Sequence, residues 1–178
     1  MSLQELARQF SAEGRLEAIV LRPARDAAAS QVSEVLAEPG RGLLGDRRAT
    51  TVRRSAAAQK RDLTLFQAEH LDVLARWCGI DAVDPCRLRR NLVVSGINLI
   101  AMRSPFRDFE LEWAIGDSVR VVLTGPCDPC SKMEDELGPG GYNALRGHGG
   151  MTARIVAGGM LRVGDRIALA AVNPTAAV

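Results

Sequence analysis

Short apolar runs, separated by glycine and proline, extend through most of this sequence and limit the folds that it can adopt. Their alternation and β-branched content predict strands at residues 15–21, 31–37, 62–66, 106–113, 119–123 and 151–156. A Gly-Asp turn precedes an alternating strand twice, at residues 115–121 and 163–169. Helical periodicity is clearest at residues 67–77, just before Gly79. The sequence therefore predicts a mainly-β fold, a closed or partly open β-barrel with a few short helices.

The length and composition favour a single folded domain. The chain has 178 residues, of which 47% are hydrophobic and 25% are charged, with a formal net charge of +2. This balance argues against a disordered chain and gives no reason to expect nucleic-acid binding. We expect a peripheral N-terminal arm at residues 1–14, one barrel domain at residues 15–172 and a C-terminal tail at residues 173–178.

Positive charge in this chain is carried almost entirely by arginine. Of the 23 basic residues, only Lys60 and Lys132 are lysines. Guanidinium groups are planar and suit bidentate contact with carboxylates, phosphates and other oxyanions. A compositional habit of the source genome would produce the same bias, so the bias by itself leaves both interpretations open.

The sequence predicts neither export nor a membrane segment. Residues 1–16 are charged and lack the continuous apolar core of a signal peptide. No apolar run approaches the roughly 18 residues that a membrane-spanning helix requires. The four cysteines are therefore interpreted as reduced thiols rather than a disulfide framework. We expect a soluble cytoplasmic protein with no membrane partner.

The candidate reactive site is the segment at residues 125–134, where two residues separate Cys127 from Cys130. Ser131 and Glu134 form the pattern of a capping box at the start of a short helix. Cys130 would then lie beside the free N–H groups of a helix N-terminus, which favour a thiolate. A thiolate is both a nucleophile and a soft metal ligand. The alternative is that both cysteines are small buried hydrophobic residues in a turn.

Two further cysteines raise the alternative of a structural zinc site. Cys78 and Cys86 flank a turn that contains Pro85. Together with Cys127 and Cys130 they would give four thiolate ligands. Their eight-residue spacing does not match the usual zinc-knuckle spacing. Structural zinc is therefore the weaker interpretation of the cysteines.

The two histidines lie in different surroundings. His70 is in the predicted helix, where a surface or hydrogen-bonded imidazole is the ordinary case. His148 stands among glycines at residues 147–150, where it could act as an acid, a base or a donor to an anion. A surface loop histidine is the alternative for His148.

Two arginine-containing segments predict a place for an anion. Residues 38–48 combine glycines and arginines, so backbone N–H groups and positive charge can both approach an anion there. The same composition also suits a solvated hairpin connection. Residues 87–94 bring three arginines into a strand, with Asn91 at the junction. This pattern indicates a polar pocket at one rim of the sheet or barrel.

On these segments the chain resembles the MOSC domain, the module named after the C-terminal part of molybdenum cofactor sulfurases and also found as standalone bacterial proteins. The resemblance extends from about Leu16 to Leu169. The segments that carry it are residues 42–47, 89–96, 115–117, 129–130, 149–154 and 163–165. It implies a β-barrel-like fold.

The resemblance also implies a functional cysteine and a molybdenum cofactor (molybdopterin). In this family one cysteine is a sulfur carrier or a direct molybdenum ligand, and the matching position is Cys130. Cys127 is an additional cysteine that would be a resolving thiol, a second ligand or incidental. Basic and glycine-rich segments hold the anionic phosphate of the cofactor, and the matching positions are Arg47, Arg90, Asn91 and Arg154.

Three functions follow as hypotheses from these residues and this resemblance. The first is a cofactor-binding reductase of small N-hydroxylated or related oxidised nitrogen compounds, with electrons from a separate redox protein. The second is a persulfide carrier on Cys130 that takes sulfur from a donor protein and delivers it to a metal-cofactor pathway, with Cys127 releasing the sulfur by exchange. The third is a non-enzymatic barrel that binds a small molecule or a partner.

Overall fold

Strands are the main secondary structure of the computed structural model, which describes residues 1–50 and 61–175. In chain order the strands are β1 (Gly14–Leu21), β2 (Ser30–Val32), β3 (Glu34–Glu38), β4 (Gly42–Leu43), β5 (Leu63–Gln67), β6 (Leu92–Ser95), β7 (Phe109–Ile115), β8 (Val119–Pro126), β9 (Met151–Ala157), β10 (Gly159–Arg162) and β11 (Arg166–Pro174). The α-helices are α1 (Leu3–Leu6), α2 (His70–Cys78), α3 (Lys132–Leu137) and α4 (Gly141–Leu145), and a 3-10 helix spans Pro85–Leu88.

Seven of the described strands close into a barrel. Around its wall the order is β1, β11, β7, β8, β9, β5 and β6, and β6 pairs again with β1. Only β5 and β6 run parallel to each other within this described wall, and a parallel pair needs a crossover connection, which α2 and the 3-10 helix provide. Strand β2 adds to β1, while β10, β3 and β4 form a small second sheet. The predicted mainly-β barrel is confirmed.

Side chains that point inward from every second residue of the strands fill the barrel interior. In β7, the residues Phe109, Leu111, Trp113 and Ile115 are buried, and the residues between them are half-buried. The Trp113 Nε1–H donates to the Met102 carbonyl at 2.8 Å, and the Phe10 ring packs edge-on against the indole at 4.7 Å between centroids. Burial of each large apolar side chain stabilises the fold by about 1.5–3 kcal/mol.

The helices form a second apolar layer against the outside of the barrel wall. Leu65 of β5 belongs to the barrel core, whereas its neighbour Phe66 packs with buried residues of the helices. Those residues are Leu74 of α2, Leu88 of the 3-10 helix, Met133 and Leu137 of α3, and Leu145 of α4. Since both faces of β5 are covered, all five of its residues are buried. This layer supports the turn that carries Cys127 and Cys130.

The structure corrects three predicted bounds. The strand expected at residues 31–37 is two strands, β2 and β3, because β2 pairs with β1 whereas β3 pairs with β10. The helix expected at residues 67–77 begins three residues later, because Gln67 still pairs with β6 as the last residue of β5. Strand β11 continues to Pro174, into the segment expected as a tail, and residues 176–178 lie outside the described residues.

We expect Gly150→Ala to be strongly destabilising. Gly150 has a φ of 88°, and a Cβ at this position would overlap the carbonyl oxygen of Leu65 in the barrel wall. Because β5 is paired on both sides, it cannot move away. The free energy of unfolding, measured by urea denaturation, should fall by about 2–4 kcal/mol.

Gly79→Ala is the matched control. Gly79 also has a positive φ, of 66°, but a Cβ added there would have no neighbouring atom within 4 Å. The free energy of unfolding of this variant should fall by only about 1 kcal/mol, because alanine is strained in the left-handed backbone conformation. Equal losses in the two variants would contradict the steric role assigned to Gly150.

Candidate functional site

A polar pocket of about 230 Å³ opens at one rim of the barrel, beside Cys130. We call it the cysteine pocket. It lies where β1 ends and where β5 and β6 begin, because β1 runs antiparallel to β6 and β5 runs parallel to it. The segment that follows β8 reaches this rim and contributes Asp128 and Cys130. Its lining in the described residues comprises Val20, Arg22, Ala29, Asp46, Arg47, Arg48, Arg61, Thr64, Arg89, Arg90, Asn91, Asp128 and Cys130.

Arginines dominate the charge of this pocket. Within the described lining, six arginines face two carboxylates, those of Asp46 and Asp128. Burial, together with the nearby charges of Arg89 and Arg47, lowers the pKa of Arg22. The Arg22 Nε atom is also buried and has no hydrogen-bond partner among residues 1–50 and 61–175. A bound anion would supply an acceptor and a negative charge.

The buried carboxylate of Asp46 organises this rim. Its Oδ2 accepts hydrogen bonds from the Arg22 backbone N–H at 3.1 Å and from the Asn91 Nδ2 at 3.3 Å, and its Oδ1 accepts from the Arg48 N–H at 3.0 Å. One side chain thus joins the end of β1, the loop after β4 and the start of β6. Asp46 is not among the site residues predicted from the sequence, although it lies in the Gly-Asp-Arg part of residues 42–47.

The side chain of Asn91 forms hydrogen bonds with the protein groups that build the pocket. Its Oδ1 accepts from the Thr64 N–H at 3.2 Å and lies 3.1 Å from the Thr64 hydroxyl. Its Nδ2 donates to Asp46 and, at 3.4 Å, to the Val20 carbonyl. Asn91 therefore lines the predicted site, but its amide ties β1 and β5 to the start of β6.

Arg90 clamps the turn that carries the two cysteines. Its guanidinium is buried and donates to the carbonyls of Gly149 at 2.6 Å, Leu88 at 3.0 Å, Cys127 at 3.0 Å and Asp128 at 3.3 Å. Burial lowers the pKa of Arg90, yet a guanidinium remains protonated in a protein. Arg90 therefore holds the turn in place and keeps a positive charge behind the pocket.

The two cysteines of the turn differ in accessibility. Cys130 is exposed and lines the pocket, whereas the Cys127 side chain is 3% exposed. The Arg61 Nη2 donates to the Cys127 Sγ at 3.3 Å, and Arg61 also lines the pocket of Cys130. A ligand in the cysteine pocket can therefore contact the Cys130 thiol, while Cys127 lies behind it.

The predicted capping box at Ser131 and Glu134 is wrong. The Ser131 backbone is already helical, with φ −53° and ψ −28°, and its side chain makes no capping hydrogen bond. The Glu134 carboxylate instead accepts from the backbone N–H groups of Gly140 at 2.7 Å and Tyr142 at 2.9 Å. Glu134 thus serves the start of α4, because the two short helices pack against each other.

Arg154 lies apart from the other predicted site residues. It is on β9, where the neighbouring Ala153 and Ile155 are buried and Arg154 points to the other face. There it forms a salt bridge with Glu110 in a separate groove. The structure therefore brings together Cys130, Arg47, Arg90 and Asn91, and it places Arg154 in a different groove. Strand alternation is the reason for the difference.

The structure offers no support for the four-thiolate zinc site. Within residues 1–50 and 61–175, no group of three or more His, Cys, Asp and Glu side chains is placed to hold a metal ion. Cys78 and Cys86 are half-buried free thiols. Burial raises the pKa of both, which keeps them protonated at neutral pH.

The fold and this site can be compared with known proteins. A family model for the MOSC domain matches residues 52–168. The chain belongs to the MOSC domain family. No curated protein matches the sequence. None of the helices in the described part of this MOSC protein is both long enough and apolar enough to cross a membrane.

Solved structures share the fold of this MOSC protein at low sequence identity. The YuaD protein from Bacillus subtilis aligns with a TM-score of 0.69 and 17% identity, over 87% of this chain and 94% of that one. YiiM from Escherichia coli aligns with a TM-score of 0.63 and 18% identity, over 88% and 70% of the two chains. YiiM from Geobacillus stearothermophilus aligns with a TM-score of 0.66 and 15% identity, over 89% and 75%.

The residues of the cysteine pocket fit the charged end of a molybdenum cofactor, the group associated with MOSC domains. An exposed thiol supplies a soft ligand, and the surrounding guanidinium groups suit phosphate and metal oxyanions. The buried Arg22 Nε provides a donor that has no acceptor within the described ranges. The volume of about 230 Å³ is below the roughly 300–1,000 Å³ of pockets that enclose a whole drug-sized ligand. The described pocket thus matches one anionic end of such a cofactor.

We expect Asp46→Asn to destabilise the rim of the barrel. In one orientation the new amide NH2 faces the Arg22 N–H and the Asn91 Nδ2, and in the other it faces the Arg48 N–H, so a donor always meets a donor. The free energy of unfolding in urea should fall by about 1–3 kcal/mol. Asp128→Asn is the matched control, since Asp128 lines the same pocket but is exposed, and its effect should stay within about 0.5 kcal/mol. Similar effects of the two changes would contradict the role given to Asp46.

Proposed function

We propose that this MOSC protein holds a molybdenum cofactor at the cysteine pocket, with the Cys130 thiolate as a metal ligand. We further propose that it reduces small N-hydroxylated or related oxidised nitrogen compounds. The observation that supports this proposal most directly is an exposed thiol in a pocket lined by arginines, where the buried Arg22 Nε has no partner in the part of the chain that the structure describes. Membership of the MOSC family supports the same choice of cofactor.

The residues of the pocket have distinct roles in this proposal. Cys130 supplies the soft sulfur ligand. Arg22, Arg47 and Arg89 balance negative charge at the pocket surface. Arg90, whose donors are committed to backbone carbonyls, positions the turn that presents Cys130. A bound molybdenum cofactor would supply two-electron redox chemistry.

The overall reaction sets what else must reach the site. Reduction of an N-hydroxyl group to an amine breaks the N–O bond, consumes two electrons and two protons, and releases water. The electrons would come from a separate redox protein, which is the partner that we expect for this chain. The accessible mouth of the cysteine pocket is the place where the substrate would enter.

We expect Cys130→Ser to abolish molybdenum loading. The protein and the variant are purified from a host that makes molybdenum cofactor, and molybdenum is measured by inductively coupled plasma mass spectrometry. The wild-type protein should carry stoichiometric molybdenum, because the thiolate is the proposed metal ligand, and the variant should carry little or none with unchanged circular dichroism.

Cys86→Ser is the control for this loading experiment, because Cys86 is a half-buried thiol that does not line the pocket. It should load as the wild type does. Equal molybdenum in the Cys130 variant and the wild type would overturn the ligand role. The absence of molybdenum from every protein would overturn the reductase proposal and would leave a sulfur carrier or a non-enzymatic binding barrel as the remaining functions.

Arg89→Gly separates the charge of the pocket from its stability. Arg89 occupies the left-handed region, with φ 59° and ψ 33°, and is the non-glycine residue with a positive φ in the described part of the chain. Glycine adopts this conformation without strain. We expect lower molybdenum content, because one guanidinium is lost, while the free energy of unfolding stays within about 1 kcal/mol of wild type.

Arg107→Gly is the control for Arg89→Gly, since Arg107 is an exposed arginine that lines a different groove. Its molybdenum content should match that of the wild type. Equal loading by the Arg89 variant would show that this guanidinium plays no part in holding the cofactor.

A second candidate function rests on the contact between Arg61 and Cys127. The Arg61 Nη2 donates to the Cys127 Sγ at 3.3 Å. Cys127 precedes Cys130 by three residues in the same turn. Were Cys130 to carry a persulfide, the Cys127 thiolate could attack the Cys130 sulfur, form a disulfide with it and release hydrosulfide. Metal-free protein whose intact mass is one sulfur higher, with the addition mapped to Cys130, would favour this sulfur-carrier function.

A further inference from the structure

A larger cavity, of about 860 Å³, adjoins the same turn as the cysteine pocket. We call it the histidine cavity, because His70 and His148 both line it. Pro126 borders this cavity, whereas Asp128 and Cys130 border the cysteine pocket. In the described residues the two linings share no member. The volume falls in the range of about 300–1,000 Å³ that is typical of small-molecule sites.

The lining of the histidine cavity includes an apolar surface set in the barrel core. Ile97, Leu99 and Met151 line it and are each at most 6% exposed. Ile100 also lines it and is 59% exposed, so it lies at the opening. An apolar ligand would therefore remove water from Ile100 and contact side chains that the core holds rigidly.

Most polar side chains of the lining are already committed to the framework. Gln67 donates to Glu69 and accepts from the Leu99 N–H at 2.9 Å. Glu69 also accepts from the Gly96 N–H at 2.7 Å, and Asn98 accepts from the Ile100 N–H at 3.1 Å. These bonds shape the loop after β6. A ligand that formed hydrogen bonds with these groups would have to replace the bonds that hold this loop in shape.

His148 is different, because its ring is oriented by aromatic contacts. It packs edge-on against His70 at 4.9 Å and against Trp77 at 5.1 Å between ring centroids. Its Nδ1 is buried and has no hydrogen-bond partner among the described residues. The adjacent Gly149 packs so closely on the Cys127 carbonyl that a Cβ would overlap it, which fixes the loop. His148 therefore brings to the lining a ring that is held in place and that carries one uncommitted polar atom.

The charges around the histidine cavity are balanced, in contrast to those of the cysteine pocket. In the described lining, Glu69 and Arg103 carry opposite charges. Burial, and then the neighbouring His148, lower the pKa of His70, whereas Glu69 opposes this effect, so the His70 imidazole is neutral at neutral pH. A ligand with a net charge would find no matching excess of the opposite sign here.

We propose that the histidine cavity is a second ligand site, which binds an uncharged, flat ring compound and hydrogen-bonds one polar edge of it to His148 Nδ1. The apolar lining takes the ring, and the aromatic side chains beside the opening give it surfaces for edge and face contacts. This site is independent of the proposed function, since neither Cys130 nor an arginine of the cysteine pocket lines it.

Imidazole resonances report this site directly. The chain contains two histidines, and both line the cavity. The wild-type protein is titrated with naphthamide, an uncharged ring with one hydrogen-bonding edge, at neutral pH, and the Cε1–H proton signals are followed by NMR. We expect saturable shifts of both signals, together with quenching of Trp77 fluorescence.

Naphthoate, the anion of the same shape, should bind at least tenfold more weakly. The absence of shifts with millimolar naphthamide would overturn the proposal, and equal binding of naphthoate would overturn its preference for uncharged ligands.

His148→Phe tests the hydrogen bond, because it keeps the aromatic packing and removes the ring nitrogens. Calorimetry should give a Kd for naphthamide that is roughly three- to tenfold weaker, the loss expected for one neutral hydrogen bond. His148→Asn keeps a hydrogen-bonding atom at the δ position and should retain more of the affinity. An unchanged Kd in both variants would overturn the role of Nδ1. Cys130→Ser should bind naphthamide as the wild type does, so loss of molybdenum and loss of this site are measured separately.

Discussion

The buried guanidinium of Arg90 is the interaction on which both pockets depend. Five N–H donors in a rigid plane allow one side chain to serve carbonyls from three separate segments, at Leu88, at Cys127 and Asp128, and at Gly149. Hydrogen bonds from a charged group contribute about 1.5–3 kcal/mol each, which offsets the cost of burying the cation. Lysine has fewer donors and a compact charge, so it could not reproduce this clamp.

The clamp separates two sites with different electrostatic character. On the cysteine side, arginines from four segments converge around one buried carboxylate, Asp46, and the Arg22 Nε has no acceptor among the described residues. On the histidine side, most polar side chains of the lining bond to one another or to the backbone, and the charges are balanced. In the described part of the chain, buried polar atoms without a partner thus occur on both sides, at Arg22 and at His148, and each would gain one from the ligand proposed for its site.

Sequence patterns predicted the parts of the fold that depend on local chemistry. The pattern at residues 106–113 predicted a strand, and β7 spans Phe109–Ile115. Gly79 ends α2 in the left-handed conformation, as predicted for a helix C-terminus. The patterns could not show which strand end meets which. They therefore do not predict that Arg22 and Arg61 line the pocket with Arg47 and Arg90. The resemblance to the family implies a place for Arg154 beside them, but a match in sequence does not show on which face of β9 the side chain lies.

The sequence by itself determined the MOSC family, the mainly-β fold and the position of a cysteine turn between a strand and a short helix, because these follow from residue order and local periodicity. The tertiary structure alone decided that Cys130 is exposed while Cys127 is buried, that Glu134 serves α4 rather than α3, and that His70 and His148 meet edge-on beside a cavity. Barrel closure is the physical reason. It brings residues far apart in the chain to one rim, and local patterns carry no information about those distances.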